Sequence, residues 1–282
     1  MDHISKALDK ATSEQQSLRN WVKPTSGDDS KPVDVGGLVG TKLSVDSKWL
    51  QKNHILSGQG REDPIIADKY RLLRTRVLQL MKPNSWTTLG ITSAGPEAGK
   101  SLTAMNLAIT MTRNSNQKVT LIDADLRKPS IAKDMGLDTK YGLIDYLTTD
   151  ISLSDVLVSP VEIPNLTILP GRRDDNTEVS PEILNSPKMR STVELFTRND
   201  PSALVIVDLP PVLIGDDVIV QASHLHCVLL IIEEGGTNAD ELLQCAELLA
   251  DFHLLGTVLN KSTEKTQTFE GYYQIGNDSR TQ

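Results

Sequence analysis

The stretch Leu89-Gly-Ile-Thr-Ser-Ala-Gly-Pro-Glu-Ala-Gly-Lys-Ser-Leu102 constrains this chain more than any other. Leu89 to Thr92 read as a short buried strand, and Ser93 to Gly99 as a turn-rich loop. Ser101 to Thr112 carry Leu102, Met105, Leu107 and Ile109 at helical spacing. A strand, a loop ending in Gly-Lys-Ser and then a helix is the layout of a phosphate-binding P-loop. The consensus glycine at the start of that loop is Ala94 here, with Gly95 beside it.

The residue types follow from the ligand. A polyphosphate is strongly anionic, so its loop must offer backbone N–H groups with no side chains in the way. Gly95 and Gly99 allow that approach. The next helix aims its N-terminus, worth about half a positive charge, at the same anion. Lys100 adds a full charge for the β- and γ-phosphates, and the Ser101 hydroxyl is placed for Mg²⁺. The expected cradle is therefore Gly95, Pro96, Glu97, Ala98, Gly99, Lys100, Ser101 and Leu102. The bland alternative is a turn with a chance Gly-Lys-Ser, which the strand and helix around it disfavour.

Two further stretches sharpen the choice. Val119-Thr-Leu-Ile-Asp-Ala-Asp-Leu-Arg-Lys-Pro129 is an apolar strand ending in Asp123 and Asp125. Carboxylates there can hold Mg²⁺ or accept a proton from an attacking hydroxyl, and Arg127 and Lys128 can neutralise phosphate charge. Leu204-Val-Ile-Val-Asp-Leu-Pro-Pro211 is an apolar run ending in Asp208, a Walker B pattern whose acid positions Mg²⁺. Pro210 and Pro211 cannot continue a ladder, so the chain must turn beside that acid.

Six strand-like runs can be counted, 87–92, 119–123, 166–169, 203–207, 227–232 and 254–259, with helical patterns at 101–112, 187–198 and 238–251. The alternation predicts an α/β fold: a three-layer domain with a mostly parallel, doubly wound sheet and ligands at the strands' carboxyl ends. Ahead of it, residues 2 to 22 suggest an amphipathic helix, docked on the domain or on a partner. Residues 23–46 are rich in Pro, Gly, Ser, Thr and Asp and read as a flexible linker. The domains expected are thus 1–22 helix, 23–46 linker, 47–262 nucleotide domain and 263–282 polar, disordered tail. A helix is expected from Ile65 to Met81, with Asp68, Arg71 and Arg74 on one face: a solvated face with a local ion pair, or a subunit contact.

Composition excludes several classes. A net charge of −8 over 282 residues argues against a general nucleic-acid partner. No apolar run nears the ~20 residues needed to span a bilayer, and no signal peptide is visible. Cys227 and Cys245 read as buried thiols, which fits a reducing cytosol. His224 and His226 lack a third ligand nearby and are taken as residues leading into a strand.

Together the three motifs resemble the bacterial tyrosine kinases of capsule and exopolysaccharide synthesis and, more broadly, the MinD and ParA ATPases. The family's second Walker motif, three apolar residues then Asp-x-Asp-x-Arg, is matched by Thr120 to Arg127, with Thr120 departing from it. Its Walker B motif matches Val205 to Pro211, and its Glu-x-x-Arg-x-x-Arg oligomerisation motif is similar to Asp68 to Arg74 with Asp for Glu. Tyr141 to Leu147 and Leu259-Asn260 also look like family segments. Ile4 to Ala11 and the Lys48-Trp-Leu region resemble an exosortase-associated subgroup.

The resemblance implies an ATP- and Mg²⁺-dependent tyrosine autokinase. Lys100 would bind the β/γ-phosphates, Ser101, Asp123 and Asp208 would attend the metal, and Asp123 would activate the acceptor hydroxyl, with Asp125 assisting at the metal or at that hydroxyl. Asn260 would contact the adenine. A homo-oligomer would form through Asp68, Arg71 and Arg74. A membrane polysaccharide co-polymerase, or chain-length regulator, would activate it at the inner face of the cell membrane, and a cognate tyrosine phosphatase would reverse it. The family's tail usually holds a cluster of tyrosines; this one has Tyr272 and Tyr273 alone. Tyr272 lies 11 residues beyond Lys261, a reach of up to ~36 Å when extended, which permits phosphorylation in a neighbouring subunit. Two rivals stay open: an ATPase switch without tyrosine phosphorylation, which the absence of lysine at 94–98 disfavours, and a nucleotide-binding adaptor for a membrane partner.

Overall fold

The computed structural model describes residues 40–57, 63–113, 117–172, 181–198, 200 and 202–263. The chain divides into two units, 1–34 and 35–282, and the described residues all belong to the second. The expected helix 2–22, linker residues 23–39, and tail residues 264–282 with Tyr272 and Tyr273 lie outside the described residues.

Among the described residues eight strands form one sheet: β1 (Thr41–Leu43), β2 (Thr88–Ser93), β3 (Val119–Asp123), β4 (Val158–Pro160), β5 (Leu166–Leu169), β6 (Leu204–Asp208), β7 (Cys227–Glu233) and β8 (Leu254–Asn260). Their order is β1-β4-β5-β3-β6-β2-β7-β8, parallel throughout except between β4 and β5. The helices are α1 (Ser47–Lys52), α2 (Pro64–Met81), α3 (Lys100–Thr112), α4 (Ile131–Asp134), α5 (Leu143–Thr148), α6 (Leu153–Val156), α7 (Pro181–Leu184), α8 (Pro187–Arg198), α9 (Asp217–Ala222) and α10 (Ala239–Leu248).

All six expected strands are present. The linker boundary needs correction. Residues 41–43, assigned to the linker, pair with β4 as an edge strand, and Glu162 accepts a hydrogen bond from Val45 N–H at 2.8 Å just beyond it. β4 itself was not expected. Both strands are three residues long and carry no apolar alternation to reveal them; each is held by its partner rather than by its own sequence.

The local signals elsewhere are plain. Asp63 caps α2 by accepting from Ile65 N–H, with Pro64 at the first helical position. Asn238 and Glu241 form a capping box on α10. Alternate residues of the strands feed two cores. Leu89, Ile91, Leu121 and Ile206 meet α2 and α3 on one face, while Ile122, Val205, Val207 and Leu230 meet α8 and α10 on the other. α3 is buried around almost its whole circumference, which makes it the central helix of its layer.

Cys227 and Cys245 are buried free thiols. His226 leads into β7, its Nδ1 accepting from Thr88 N–H at 3.2 Å. Among the described residues no helix is long and apolar enough to cross a membrane.

Candidate active site

Three adjacent strands deliver the site. β3, β6 and β2 run parallel, and their register sets Asp123 opposite Asp208, with Ile91 of β2 on the other side of Asp208. The chain leaves β2 for β3 on one side and later crosses from β6 to β7 on the other. The loop after β2 therefore sits where an open α/β sheet opens a crevice. That loop closes at Gly99, whose φ of 91° is a left-handed conformation that favours glycine. A Cβ there would lie 2.2 Å from Asn260 Nδ2. Among the described residues no side chain caps α3, so the amide groups of its first turn remain available to an anion.

Lys100 reaches down from α3 into a nest of acids. Its Nζ lies 2.7 Å from Asp125 Oδ2 and 3.4 Å from each Asp208 oxygen. Ser101 Oγ–H donates to Asp208 Oδ2 at 2.5 Å. Asp123 points the same way from β3, with Oδ2 accepting the N–H groups of Ser130 and Ile131 at 3.0 Å each. Among the described residues, Asp123 Oδ1 is buried with no hydrogen-bond partner. The cluster is closed: Lys100 is 8% exposed, Asp125 4%, Asp123 1% and Asp208 0%.

Three carboxylates and one ammonium in that space cannot all sit at their ordinary pKa values. Burial pushes Asp123 up to about 8, and the charge of Asp208 adds to the rise. Burial also pushes Asp208 up, to about 6, against the pull of Lys100 and Ser101. Burial works against the Lys100 charge, yet Asp208 and Asp125 outweigh it and hold the ammonium above its ordinary range.

A family model described as ParA, NUBPL iron-transfer P-loop NTPase, matches residues 86–234, more than half of the chain. The tyrosine-protein kinase YwqD of Bacillus subtilis is 30% identical over 210 residues, covering 73% of this chain and 86% of YwqD. The chain belongs to the bacterial tyrosine kinase family, within the ParA-like P-loop class. Two solved structures agree. The chimerical protein CapA2B2 superposes with a TM-score of 0.65 at 26% identity, over 79% of this chain and 94% of that one. The kinase domain of Escherichia coli tyrosine kinase ETK superposes with a TM-score of 0.63 at 26% identity, over 80% and 92%. The chain spans most of YwqD but only 33% of Escherichia coli etk. The fold is shared more distantly with the Pyrococcus horikoshii MinD–Mg-ADP complex, at a TM-score of 0.52 and 19% identity.

The chemistry of these side chains suits a nucleotide and Mg²⁺. Ser101, Asp123, Asp125 and Asp208 are hard oxygen donors suited to Mg²⁺, and the orphaned Asp123 Oδ1 is a buried acceptor in want of a partner. Gly95 presents open space where a side chain would stand, as a phosphate cradle requires.

Other expected residues fall in less expected places. Pro96 and Glu97 are exposed on the loop, and Leu102 is half-buried on α3. Glu97 meets Lys128 at 3.2 Å, which ties the loop to the turn after β3. The Asn260 amide donates to the Ala98 carbonyl at 2.8 Å, so it stands against the loop from the end of β8. Arg127 turns away from the acid nest, and its Nε donates to Asp217 Oδ2 at 2.6 Å. Asp68 and Arg71 pair with each other on the surface of α2, whereas Arg74 Nη1 donates inward to the Thr110 carbonyl at 3.1 Å. The expected common face of the two arginines is therefore divided, because Arg74 is drawn to an α3 carbonyl.

Sequence reasoning missed Asp217 and Gly171. A Cβ on Gly171 would lie 3.1 Å from Asp123 Cγ and 2.7 Å from Pro129 Cβ, so only glycine lets this segment close over the acid. Neither residue belongs to a recognisable motif. The one signal was the acid pair Asp216-Asp217 shortly after Pro210-Pro211.

Proposed function

We propose that this kinase domain transfers the γ-phosphoryl group of ATP to tyrosine hydroxyls, its own Tyr272 and Tyr273 first, and that this modification regulates polysaccharide synthesis through a membrane partner. The observation that carries the reading is the closed nest of Lys100, Ser101, Asp123, Asp125 and Asp208 below an uncapped helix N-terminus.

Each residue has a task. The backbone of Gly95 to Leu102 holds the phosphates. Lys100 exchanges its carboxylate partners for β/γ-phosphate oxygens and stabilises the charge of transfer. Ser101 and Asp208, with Asp123, hold Mg²⁺, which when bound neutralises phosphate charge. In the ligand-free nest burial raises Asp123 to about 8, so it holds a proton there; with the positive charge of bound Mg²⁺ beside it the carboxylate would ionise, and it would then accept the proton of the incoming tyrosine hydroxyl. Asp125 restrains Lys100 between turnovers. Arg127 rests on Asp217 in the ligand-free domain and would have to swing back to add a cation at the phosphates, while Asn260 supports the loop and reads the base. Phosphoryl transfer asks mainly for positioning and charge stabilisation, which this set supplies.

The proposal extends to assembly and control. Subunits meet through α2 with Asp68, Arg71 and Arg74, and the tail of one reaches the site of the next. Each phosphate adds about −1.5 to −2 charges to the tail and weakens its packing there. The activating partner is a polysaccharide co-polymerase at the cytoplasmic face of the membrane, and a tyrosine phosphatase resets the cycle.

Intact-mass and peptide mass spectrometry after incubation with Mg·ATP tests this. Phosphate on Tyr272 or Tyr273, absent from Lys100→Met and from a Tyr272→Phe/Tyr273→Phe double variant, is expected. Release of ADP with no modified tyrosine, even with a partner segment present, would instead establish an ATPase switch.

A further inference from the structure

The strands that carry the site follow one another across the sheet in the order β5-β3-β6-β2. The phosphate loop follows β2, Asp208 ends β6 and Asp123 ends β3. β5 lies one strand spacing beyond β3, about 4.8 Å, on the side away from the phosphate loop. In phosphoryl transfer the attacking and leaving oxygens stand roughly in line. With Asp123 as the base, the acceptor hydroxyl therefore comes in on the β5 side. The turn that follows β5 is Pro170-Gly171-Arg172. Gly171 packs on the acid, since a Cβ there would lie 3.1 Å from Asp123 Cγ, and Arg172 is the next residue.

Arg172 is held in place under strain. Its φ of 37° is left-handed, a conformation that costs a non-glycine residue energy, and such residues gather at functional sites. The turn is pinned to the start of α5: the Pro170 carbonyl accepts from Leu143 N–H at 2.7 Å and the Gly171 carbonyl from Ile144 N–H at 3.4 Å. Gly142 packs against it so closely that a Cβ there would stand 2.5 Å from Arg172 Cβ. The half-buried Arg172 side chain lies along the loop before α5, with Nη1 donating to the Thr139 carbonyl at 3.5 Å. Lys140 follows on the same loop, its Nζ 4.8 Å from the centre of the Tyr141 ring. Lys100, Arg127 and Lys128 all meet acids. Among the described residues, Arg172 and Lys140 pair with no carboxylate.

We propose that Arg172, with Lys140 on the neighbouring loop, selects acceptor peptides that carry an acidic residue two positions before the tyrosine, and so directs the kinase to Tyr272 ahead of Tyr273. The proposal rests on the reading above, in which Asp123 receives the tyrosine hydroxyl. The chain's own sequence supplies the complement: in Thr268-Phe-Glu-Gly-Tyr-Tyr273, Glu270 is the acid nearest to both tyrosines. In an extended peptide, side chains two residues apart leave on the same side, about 6.7 Å from each other. An acceptor bound extended with Tyr272 at Asp123 therefore brings Glu270 to the same side, one short step along the rim. Arg172 stands at such a step, one residue past the glycine that touches the acid. With Tyr273 at Asp123, Glu270 falls on the opposite side and the pair is lost. A guanidinium fork also fixes the orientation of the carboxylate it binds, so it sets register as well as affinity.

The test is a charge swap on the full chain, read by peptide mass spectrometry as the initial rate of phosphate appearance on each tyrosine with Mg·ATP. Tyr272 is expected to be modified before Tyr273. Glu270→Gln and Arg172→Gln are each expected to slow Tyr272 roughly 2- to 5-fold, the worth of one partly screened ion pair. Combined, they are expected to cost no more than either alone. Arg172→Glu with Glu270→Arg is expected to recover the rate that Arg172→Glu loses, and the advantage of wild type over Glu270→Gln is expected to shrink as salt is raised. Glu270→Gln alters no residue of the nucleotide domain, so it reads the pair even where a substitution at Arg172 disturbs the fold. Equal rates with and without Glu270, multiplying losses in the double variant, or Tyr273 modified first overturn the proposal and leave the kinase reading standing. ADP release with no phosphotyrosine in any variant defeats the kinase reading and the proposal with it.

Discussion

Two clusters of opposite charge occupy the same layer of this kinase domain and differ in everything but chemistry. On α2, Asp68 and Arg71 pair across one helical turn with side chains 63% and 56% exposed. At the head of α3, Lys100 pairs with Asp125 at side-chain exposures of 9% and 5%, beside two further buried acids. Water screens the first pair, and an i,i+3 pair of that kind is worth about 0.2–0.5 kcal/mol. The second has given up its hydration, holds more negative than positive charge, and leaves Asp123 Oδ1 without a partner. A cluster that strains against its own burial is poor material for a scaffold and good material for a site that awaits a cation and an anion.

The largest break in that comparison comes from removing its cation. Lys100→Met leaves Asp125 and Asp208 facing each other with no positive charge between them, and breaking a buried ion pair this way costs about 3–5 kcal/mol. Urea unfolding at pH 8 without ligand is the measurement. A loss below about 1 kcal/mol would mean that the nest stores little electrostatic strain. Tyrosine phosphorylation should vanish whichever value is found.

pH probes the same nest more gently. Asp123 and Asp208 are raised by burial to about 8 and about 6 in the folded chain, above the ordinary aspartate value of 3.8. Between roughly pH 4 and 8 the native state therefore binds protons that the unfolded chain has released. By linkage, ligand-free stability is fully present at the acid end of that window and declines as pH rises toward 8, by at most about 1.4 kcal/mol per unit for each proton. Unfolding curves at pH 5.5 and 8.0 should show the wild type more stable at the lower value. Asp123→Asn should flatten the slope, and Mg·ADP should flatten it too. A wild-type chain more stable at pH 8 would contradict the raised values.

The central strands and the motif acids were legible because their signals are local. β2, β3 and β6 are wholly buried runs, each followed by a residue that the chemistry demands. β1 and β4 were hidden because a three-residue strand gains its identity from its neighbour: Thr41 is fixed by Val158, 117 residues away. The same divide runs through the site. Lys100, Ser101, Asp125 and Asp208 could be read from motif order. The preference of Lys100 for Asp125, the closure of Gly171 over Asp123 and the hold of Asp217 on Arg127 depend on loops converging from distant segments, and spacing in the chain carries no trace of that. Arg74 makes the point on α2, where a three-residue spacing promised company with Arg71 and the Thr110 carbonyl claimed the side chain instead.

The smallest effect separates fold from assembly. Because the Asp68–Arg71 pair is exposed, Asp68→Ala or Arg71→Ala should change the stability of the isolated domain by no more than about 0.5 kcal/mol in urea unfolding. The same helix also exposes Ile65, Leu72 and Leu80 at 55%, 62% and 50%, apolar side chains that the domain's own stability leaves unexplained. If α2 joins subunits, Arg71→Ala should reduce the mass seen by light scattering while the monomer fold and single-site nucleotide binding stay intact. An unchanged mass, with unchanged phosphorylation between differently tagged copies, would return the pair to an ordinary solvated face. The two clusters thus part by experiment as they do by burial: substitution in the nest should register in stability and chemistry at once, and substitution on α2 only where a second chain is present to feel it.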